Sequence, residues 1–452
     1  MLVPSNKLLL YIAVTGIPLF TVLGLVEAPS AVIVGVALLA LGLIALDAPS
    51  ALSVIRALKV ELPDLIRTTK GREFEIDGVI VNPRLVCPFV RIALPFPDTL
   101  ETAEPILSLN LNKRSERSRA IWKMRALERG NIRIMQCHIE GLSRLGLWQG
   151  RRTLPCSVEV RVYPDLSRER NVLAPLFFRR GAVGVHQVRQ IGKGREFEQL
   201  RAYVPGDSYD DVYWKGTAKR RFPVTKMFQL ERTQEMYVVL DASRRSARRL
   251  DVLSDESTAG ILAKTQLERF IQAALVLALA AEQQTDRCGL IVFSDKVHRI
   301  IPAGSGRKHY DTIRDLLYAL EPNVVSPDYE EAFVHIGNRV RQRALMIFLT
   351  DLGEPWLAES FVDGVKLIAR RHVVLAHMLG QKEIRPMFAK NDAAENDNEL
   401  YGKLAGQLLW NDLQDTARVL KQRGVHLTSS LQENLVADVV SEYLKVKKRQ
   451  LI

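Results

Sequence analysis

Two aspartates follow short apolar runs of the kind that form buried strands. Asp241 comes directly after residues 236–240, and Asp351 follows residues 345–349 after Thr350. In open α/β sheets, ligands bind beyond the carboxyl ends of the strands, where strand-end side chains face a common crevice. We therefore predict that both carboxylates lie at one crevice of an α/β domain.

The sequence lacks the common catalytic motifs. It has no G-x-S-x-G nucleophile elbow, no H-E-x-x-H metal motif and no P-loop. Its four cysteines have no C-x-x-C spacing, which predicts reduced, buried thiols rather than a zinc site or a disulfide framework. His372 and His377 flank an apolar run and are predicted to be structural. We predict no catalytic residue and a protein that is not an enzyme.

The aspartates are expected to belong to a C-terminal domain of residues 236–452. Apolar runs alternate there with helical patterns, which is typical of a parallel sheet covered by helices on both faces. Helices are predicted at 265–284, 310–320 and 329–342, and further strands at 289–293 and 373–377.

Residues 51–165 have a different pattern of short alternating segments separated by turn signals. Val158, Val160 and Val162 occupy one face of the alternating stretch 157–163. We predict an all-β, sandwich-like domain here. Residues 166–235 are predicted to connect it to the α/β domain.

Two uncharged apolar runs at the N-terminus predict a transmembrane helical hairpin within residues 1–50. They cover residues 8–26 and 31–46, and about 20 apolar residues span the hydrocarbon core as a helix. A cleaved signal peptide, the alternative, explains only the first run. Lysines and arginines flank the hairpin and are missing from its turn, which predicts that the remaining domains face the cytoplasm.

The formal net charge of +12 admits nucleic acid, an anionic membrane surface or acidic proteins as partners. Basic residues beside the hairpin are explained by attraction to anionic lipid. Aromatic residues are not interleaved with basic ones on an evident sheet or helix, so we expect no nucleic-acid binding. A nucleic-acid-binding protein is kept as an alternative.

Residues 194–232 contain a dense mixture of charged, aromatic and turn residues. Its Trp214 is predicted to be an apolar anchor or a cation–π face, and its charged residues to form an ion-pair network. The segment resembles the signature of the family called domain of unknown function 58. The matching residues are Gly194, Glu196, Phe197, Leu200, Arg201, Tyr203, Gly206, Asp207, Trp214, Lys215 and Ala218. The sequence departs from that pattern at Asp210, Asp211, Tyr213 and Lys219.

The resemblance implies that the C-terminal domain is similar to von Willebrand factor A domains. In such domains a D-x-S-x-S loop, a threonine and strand-end carboxylates hold Mg²⁺, so the corresponding residues here are Asp241, Ser243 and Asp351. Arg245 stands at the second serine position and Pro327 at the threonine position. We therefore expect a degenerate metal site and no cofactor, with Mg²⁺ binding as the alternative.

Two roles are open for this loop. In the first, Asp241 and Asp351 serve as turn formers or as ion-pair partners of Arg245. In the second, Arg245 replaces the metal and binds a carboxylate of the partner directly. The predicted partner-binding residues are Arg244, Arg245, Arg248 and Arg249.

The resemblance also implies a function. It indicates a bacterial inner-membrane protein, a membrane-anchored scaffold or adaptor that works with a MoxR-type AAA+ ATPase in the assembly or maturation of other proteins. A metal-dependent hydrolase that uses the strand-end aspartates is the enzymatic alternative.

Overall fold

The computed structural model describes residues 1–25, 29–83, 87, 89–111, 115–167, 169, 191–205, 207–229, 234–250, 265–381, 384, 386 and 397–449. The chain forms two compact units, one built on Met1–Asp165 and the other on Leu166–Val252 with Ala263–Ile452. Gly206 of the signature and residues 26–28 of the predicted interhelical turn lie outside the described residues.

The first unit begins with two long apolar helical segments. One comprises Asn6–Tyr11, a π-helical turn at Ile12–Gly16, and Ile17–Leu25, and the other is Ser30–Ala57. Both are long and apolar enough to cross a membrane. The second helix runs past residue 50, where we predicted the hairpin to end. Its side chains at Leu38 and Leu39 are 64% and 67% exposed, as expected of a surface that faces lipid.

Two sheets complete the first unit and share one apolar core. One sheet has the strand order β1-β10-β9-β5-β7, with β3 parallel to β10, and the other has the order β2-β4-β8-β6. Trp122 from one sheet and Val160 from the other are fully buried in that core, which fits the predicted sandwich. The strands are β1 Leu2–Pro4, β2 Lys59–Glu61, β3 Leu65–Thr69, β4 Glu73–Val81, β5 Phe89–Ala93, β6 Leu100–Thr102, β7 Ile106–Asn110, β8 Arg117–Ala126, β9 Gly130–Leu142 and β10 Trp148–Tyr163.

The signature segment forms a two-stranded antiparallel sheet in the second unit. Strand β11, Ile191–Ala202, pairs with β12, Val224–Gln229. The connection between them contains a 3₁₀ turn at Tyr209–Asp211 and a short helix, Trp214–Arg220.

A six-stranded sheet forms the centre of the second unit, with apolar cores on both of its faces. Its order is β15-β14-β13-β16-β17-β18. The strands are β13 Glu235–Asp241, β14 Arg287–Phe293, β15 Val297–Gly304, β16 Leu345–Leu349, β17 Val373–Leu379 and β18 Val425–Ser430. The helices are Gln266–Gln283, Arg307–Leu317, Tyr329–Arg339, Pro355–Gly364, Lys366–Ala369, Asp397–Gln422 and Leu435–Arg449, with a 3₁₀ turn at Arg244–Ala247.

The sheet differs from the predicted parallel sheet at one edge. Five strands run parallel, but β15 is antiparallel to β14. Only residues 294–296 separate these two strands, and a connection this short permits a hairpin but not the crossover that parallel strands need. The prediction of a purely parallel sheet was therefore wrong at this edge.

Candidate functional site

The two predicted aspartates meet at the carboxyl ends of neighbouring strands. Asp241 is the last residue of β13, while Thr350 and Asp351 follow β16 directly. Because β13 and β16 pair in parallel from Met236 opposite Leu345 onward, their carboxyl ends lie side by side. The sheet therefore brings Asp241 and Asp351 to one crevice, which we call the apex.

Asp241 is fully buried and lies in a closed network of hydrogen bonds. One carboxylate oxygen accepts the backbone N–H of Ser243 at 2.9 Å, and the other accepts the Thr350 hydroxyl at 2.7 Å. The Tyr329 hydroxyl lies 2.7 Å from the Thr350 oxygen and is the donor, since the Thr350 hydrogen is directed to Asp241. Burial raises the pKa of Asp241, and it raises the pKa of Tyr329 well above its ordinary value.

Arg245 reaches from the 3₁₀ turn to two carboxylates of the same chain. Its Nη2 donates to Asp351 Oδ2 at 2.9 Å, and its Nη1 donates to Glu354 Oε1 at 2.5 Å. The side chains are 20% exposed for Arg245, 4% for Asp351 and 33% for Glu354. The Asp351 pair is therefore well shielded from water, and bonds between two charged groups are among the stronger hydrogen bonds in proteins.

Local backbone chemistry holds Arg245 in this position. Ser243 begins the turn, and its hydroxyl accepts the Arg245 N–H at 3.4 Å. The Ser246 hydroxyl donates to the backbone carbonyl of Asp241 at 2.5 Å. The two serines thus fold the loop back over the end of β13, which directs the Arg245 side chain toward Asp351.

The residues at the apex do not fit a Mg²⁺ ion. The guanidinium of Arg245 lies against Asp351, and the only hydrogen of the Thr350 hydroxyl is directed to Asp241. Pro327, at the predicted threonine position, has no side-chain ligand atom. Over the described ranges, no cluster of three or more His, Cys, Asp or Glu residues suitable for a metal is present. A hard divalent ion prefers oxygen ligands, whereas a fixed positive charge is already present here.

The four predicted partner-binding arginines fall into two groups. Arg244, Arg248 and Arg249 are exposed, whereas Arg245 is half-buried. Asp351 and Glu354 of the same chain hold the guanidinium of Arg245, and its contact with a partner's carboxylate stays a prediction. The structure contains the ion pair between Arg245 and Asp351 that the sequence analysis gave as the other possible role of this loop.

Three residues of this network were missed from the sequence. Thr350 donates to Asp241, Tyr329 donates to Thr350, and Glu354 is the second partner of Arg245. Thr350 directly follows a predicted strand and precedes Asp351, and this position alone could have placed it in the crevice with the two aspartates. Glu354 precedes the helix Pro355–Gly364 and has no pattern that points to Arg245.

The signature segment is organised around one aspartate. Asp207 accepts the Val204 N–H at 3.0 Å, Arg201 Nη2 at 2.6 Å and the Thr225 hydroxyl at 3.3 Å. The bond from Val204, followed by the charge of Arg201, holds the pKa of Asp207 below its ordinary value. Asp207 therefore fixes the turn after β11 to the start of β12.

Other predictions for this segment were wrong. Trp214 is 62% exposed and does not act as a buried anchor. The cation–π contact joins Lys226 to the Tyr213 ring at 5.0 Å. Lys215 and Lys219 are both exposed, and no ion pair involves either of them within the described part of the chain. Of the predicted network, the described side chains include the Arg201–Asp207 pair.

The two histidines are buried around β17. His372 Nδ1 accepts the Ala344 N–H at 3.3 Å, and burial lowers the pKa of His372 to about 4. His377 is fully buried, with its Nε2 3.3 Å from Glu442. Both positions agree with the predicted structural role.

The second apolar helix is attached to the sandwich through a buried carboxylate. Asp47 accepts the Ser143 hydroxyl at 2.5 Å and the N–H groups of Leu145 and Leu147 at 3.3 Å each. Its side chain is almost inaccessible to solvent. An ionisable residue in an apolar helix is costly unless it has partners, and here the loop between β9 and β10 supplies them.

The chain segment before the first apolar helix is attached to the same region. Strand β1 pairs with β10, with Leu2 opposite Gly150 and Pro4 opposite Trp148. The Ser5 hydroxyl then donates to the Gly146 carbonyl at 2.5 Å. Both ends of the helical hairpin are therefore fixed to one sheet.

The two unburied apolar helices and the sheet-based units define a membrane-associated protein. The family model described as protein of unknown function DUF58 matches residues 199–385, from β11 to just beyond β17. The predicted resemblance to this family is confirmed over these residues, which include most of the signature and the whole apex.

Relatives and solved structures add distant likenesses. Uncharacterized proteins of Mycobacterium bovis and Mycobacterium tuberculosis are 24% identical over 187 residues, 41% of this chain and 55% of theirs. The chain thus spans about half the length of the curated relatives that it matches.

Two similar solved structures come from Bacteroides. Conserved hypothetical protein BatB from Bacteroides thetaiotaomicron has a TM-score of 0.29 and 16% identity, over 47% of this chain and 99% of that one. An aerotolerance-related membrane protein from Bacteroides fragilis has a TM-score of 0.26 and 15% identity, over 47% and 99%.

Proposed function

We propose that the protein is a non-enzymatic, membrane-anchored adaptor whose von Willebrand factor A-like domain binds another protein at the apex. The observation that carries this proposal is the ion pair of Arg245 with Asp351 and Glu354. It supplies a fixed cation where A domains hold a metal, so the apex needs no cofactor.

The surface around this ion pair suits an acidic partner. Arg244, Arg248 and Arg249 are exposed on the loop that follows β13. A guanidinium grips a carboxylate through two parallel hydrogen bonds, which lysine cannot do. In this proposal Arg245 fixes the loop through its ion pairs with Asp351 and Glu354, and the three exposed arginines contact the partner.

The attachment of the hairpin supports the proposed orientation. Because β1 and the end of the helix Ser30–Ala57 both contact the sheet containing β10, the hairpin leaves and returns to one side of the membrane. The lysines and arginines concentrated on that side favour the cytoplasm. We therefore propose that both units face the cytoplasm at a bacterial inner membrane.

The proposed partner is a MoxR-type AAA+ ATPase, as the family resemblance implies. In this arrangement the adaptor holds the ATPase at the membrane, where it acts on other proteins. The apex contributes binding and no chemistry, in keeping with the missing catalytic motifs.

Co-purification of the tagged protein with a MoxR-type ATPase of the same genome, from detergent-solubilised membranes, tests this function. We expect the double variant Arg244→Glu/Arg248→Glu to lose the ATPase. Loss of charged contacts at an interface costs about 2–5 kcal/mol when they are buried there, or roughly 30-fold to several-thousand-fold in affinity.

The matched control is Lys421→Glu, which reverses an exposed charge elsewhere in the same unit. It is expected to retain the ATPase. Wild-type yield with the double variant would refute the apex as the binding surface, and so would equal losses in both variants.

A further inference from the structure

A second surface of the same unit is a groove between strand β15 and the helix Tyr329–Arg339. Its volume is about 450 Å³. Residues 297–300 and Pro302 of β15 form one wall, and His335, Arg339 and Val340 form the other, with Tyr237 between them. The groove shares no residue with the arginines of the apex.

The charged side chains that line the groove are basic. Arg299 and Arg339 are both exposed, and no ion pair or hydrogen bond involves either side chain within the described ranges. The Nε2 atom of His298 already has hydrogen-bond partners, since it lies 2.5 Å from the Ser294 hydroxyl and 3.0 Å from the Asn323 side-chain amide. No carboxylate lines the groove. Its electrostatic preference is therefore set by two uncompensated guanidinium groups.

The backbone of β15 offers a second kind of contact. This strand pairs with β14 on one side and lies at the edge of the sheet as far as the described residues extend. In an edge strand, alternate N–H and C=O groups point away from the only neighbour and can pair with an added strand. Pro302 has no N–H, so the usable edge is Val297–Ile301.

We propose that this groove binds an acidic peptide segment of a partner protein in an extended conformation. The peptide adds as a strand to the open edge of β15, and its acidic side chains meet Arg299 and Arg339. Strand addition combines backbone hydrogen bonds, which supply affinity, with side-chain contacts, which supply specificity. A nucleic acid would use the positive charge but not the open strand edge, so the peptide explains both features.

This surface goes beyond the function proposed for the apex. An adaptor with two separate acidic-ligand surfaces is able to hold an ATPase at one and a client protein at the other. The two surfaces are separable by mutation, because the groove arginines lie on β15 and the helix Tyr329–Arg339, whereas the apex arginines lie in and after the 3₁₀ turn that follows β13.

Binding is measured by fluorescence anisotropy with the full chain in detergent micelles. The probe is a labelled peptide of alternating valine and glutamate, and a second peptide has lysine in place of glutamate. A third has the acidic sequence with a central proline, which removes a backbone donor. We expect the first peptide to bind, the lysine peptide not to bind, and the proline peptide to bind at least about tenfold more weakly.

The charge contact is tested with Arg299→Glu/Arg339→Glu. We expect the acidic peptide to bind at least about tenfold more weakly, which is about 1.4 kcal/mol, and the lysine peptide to bind instead. Arg370→Glu, at an exposed site outside the groove, is the matched control and should bind like the wild type.

Four results would overturn the proposal. One is wild-type affinity of the double variant for the acidic peptide. Another is an equal loss in Arg370→Glu, which would indicate a general charge effect. The third is equal binding of the proline peptide, and the fourth is displacement of the acidic peptide by a single-stranded oligonucleotide.

Discussion

Replacement of Arg245 by alanine is expected to destabilise the second unit strongly. The substitution leaves Asp351, whose side chain is only 4% exposed, without its cation. Removal of one partner from a buried ion pair costs about 3–5 kcal/mol, whereas an exposed pair contributes less than about 1 kcal/mol. The Arg245–Asp351 pair resembles a buried ion pair. The Arg245–Glu354 pair, in which the Glu354 side chain is 33% exposed, is closer to an exposed ion pair. We expect a loss of about 2–4 kcal/mol between these limits.

The assay is thermal unfolding of the purified full chain in detergent, followed by near-ultraviolet circular dichroism. For a unit of this size, 1 kcal/mol lowers Tm by about 2–4 °C, so Arg245→Ala should lower it by roughly 4–16 °C. Asp351→Asn and the double variant Arg245→Ala/Asp351→Asn complete a double-mutant cycle. Because the two groups contact each other directly, we expect a coupling energy of at least about 1 kcal/mol.

Arg370→Ala is the matched control, since exposed substitutions usually change stability by about 0.5 kcal/mol or less. A Tm for Arg245→Ala within about 1 °C of the wild type, or strictly additive effects in the cycle, would refute the reasoning. Arg245 would then be a solvated side chain that contributes nothing to the apex.

Three further predictions concern other parts of the molecule. Burial raises the pKa of Asp241, so the folded state binds a proton at this carboxyl group more tightly than the unfolded chain does. The free energy of unfolding therefore falls as the pH rises above the ordinary aspartate pKa. In urea titrations, Asp241→Asn should be more stable than the wild type at neutral pH, and its stability should depend less on pH. Asp47→Ala leaves the Ser143 hydroxyl and two N–H groups without their acceptor, at about 1–3 kcal/mol for each buried group left unsatisfied, and should increase protease cleavage between β9 and β10, with Ser53→Ala as the control. A reporter that works only in the cytoplasm should be active when fused to the C-terminus, whereas activity of a reporter that works only in the periplasm would disprove the orientation.

Much of the second unit was predictable because apolar runs identify buried strands directly. The runs before Asp241 and Asp351 became β13 and β16, and their parallel pairing follows from the helices between them. The sequence did not indicate β15 or β18, because polar residues interrupt both strands. At the edges of a sheet a strand needs less apolar surface, and its sequence signal is correspondingly weak.

The contacts at the apex were less accessible to sequence reasoning. Arg245 and Glu354 are 109 positions apart, and no local pattern specifies their pairing. The dense charges of the signature were also a poor guide to pairing, because Arg201 pairs with Asp207, whereas Lys215 and Lys219 have no ion pair within the described residues. Ion pairing depends on which side chains the turn brings within about 4 Å of each other, and the spacing of charges in the sequence does not fix that.

Calorimetric titration of Mg²⁺ into the full chain is the most direct test of the central claim that a guanidinium replaces the metal at the apex. We predict no saturable binding to the wild type, because Arg245 occupies the position beside Asp351. Micromolar Mg²⁺ affinity that is lost in Asp241→Ala would contradict the account, since the apex would then be a working metal site.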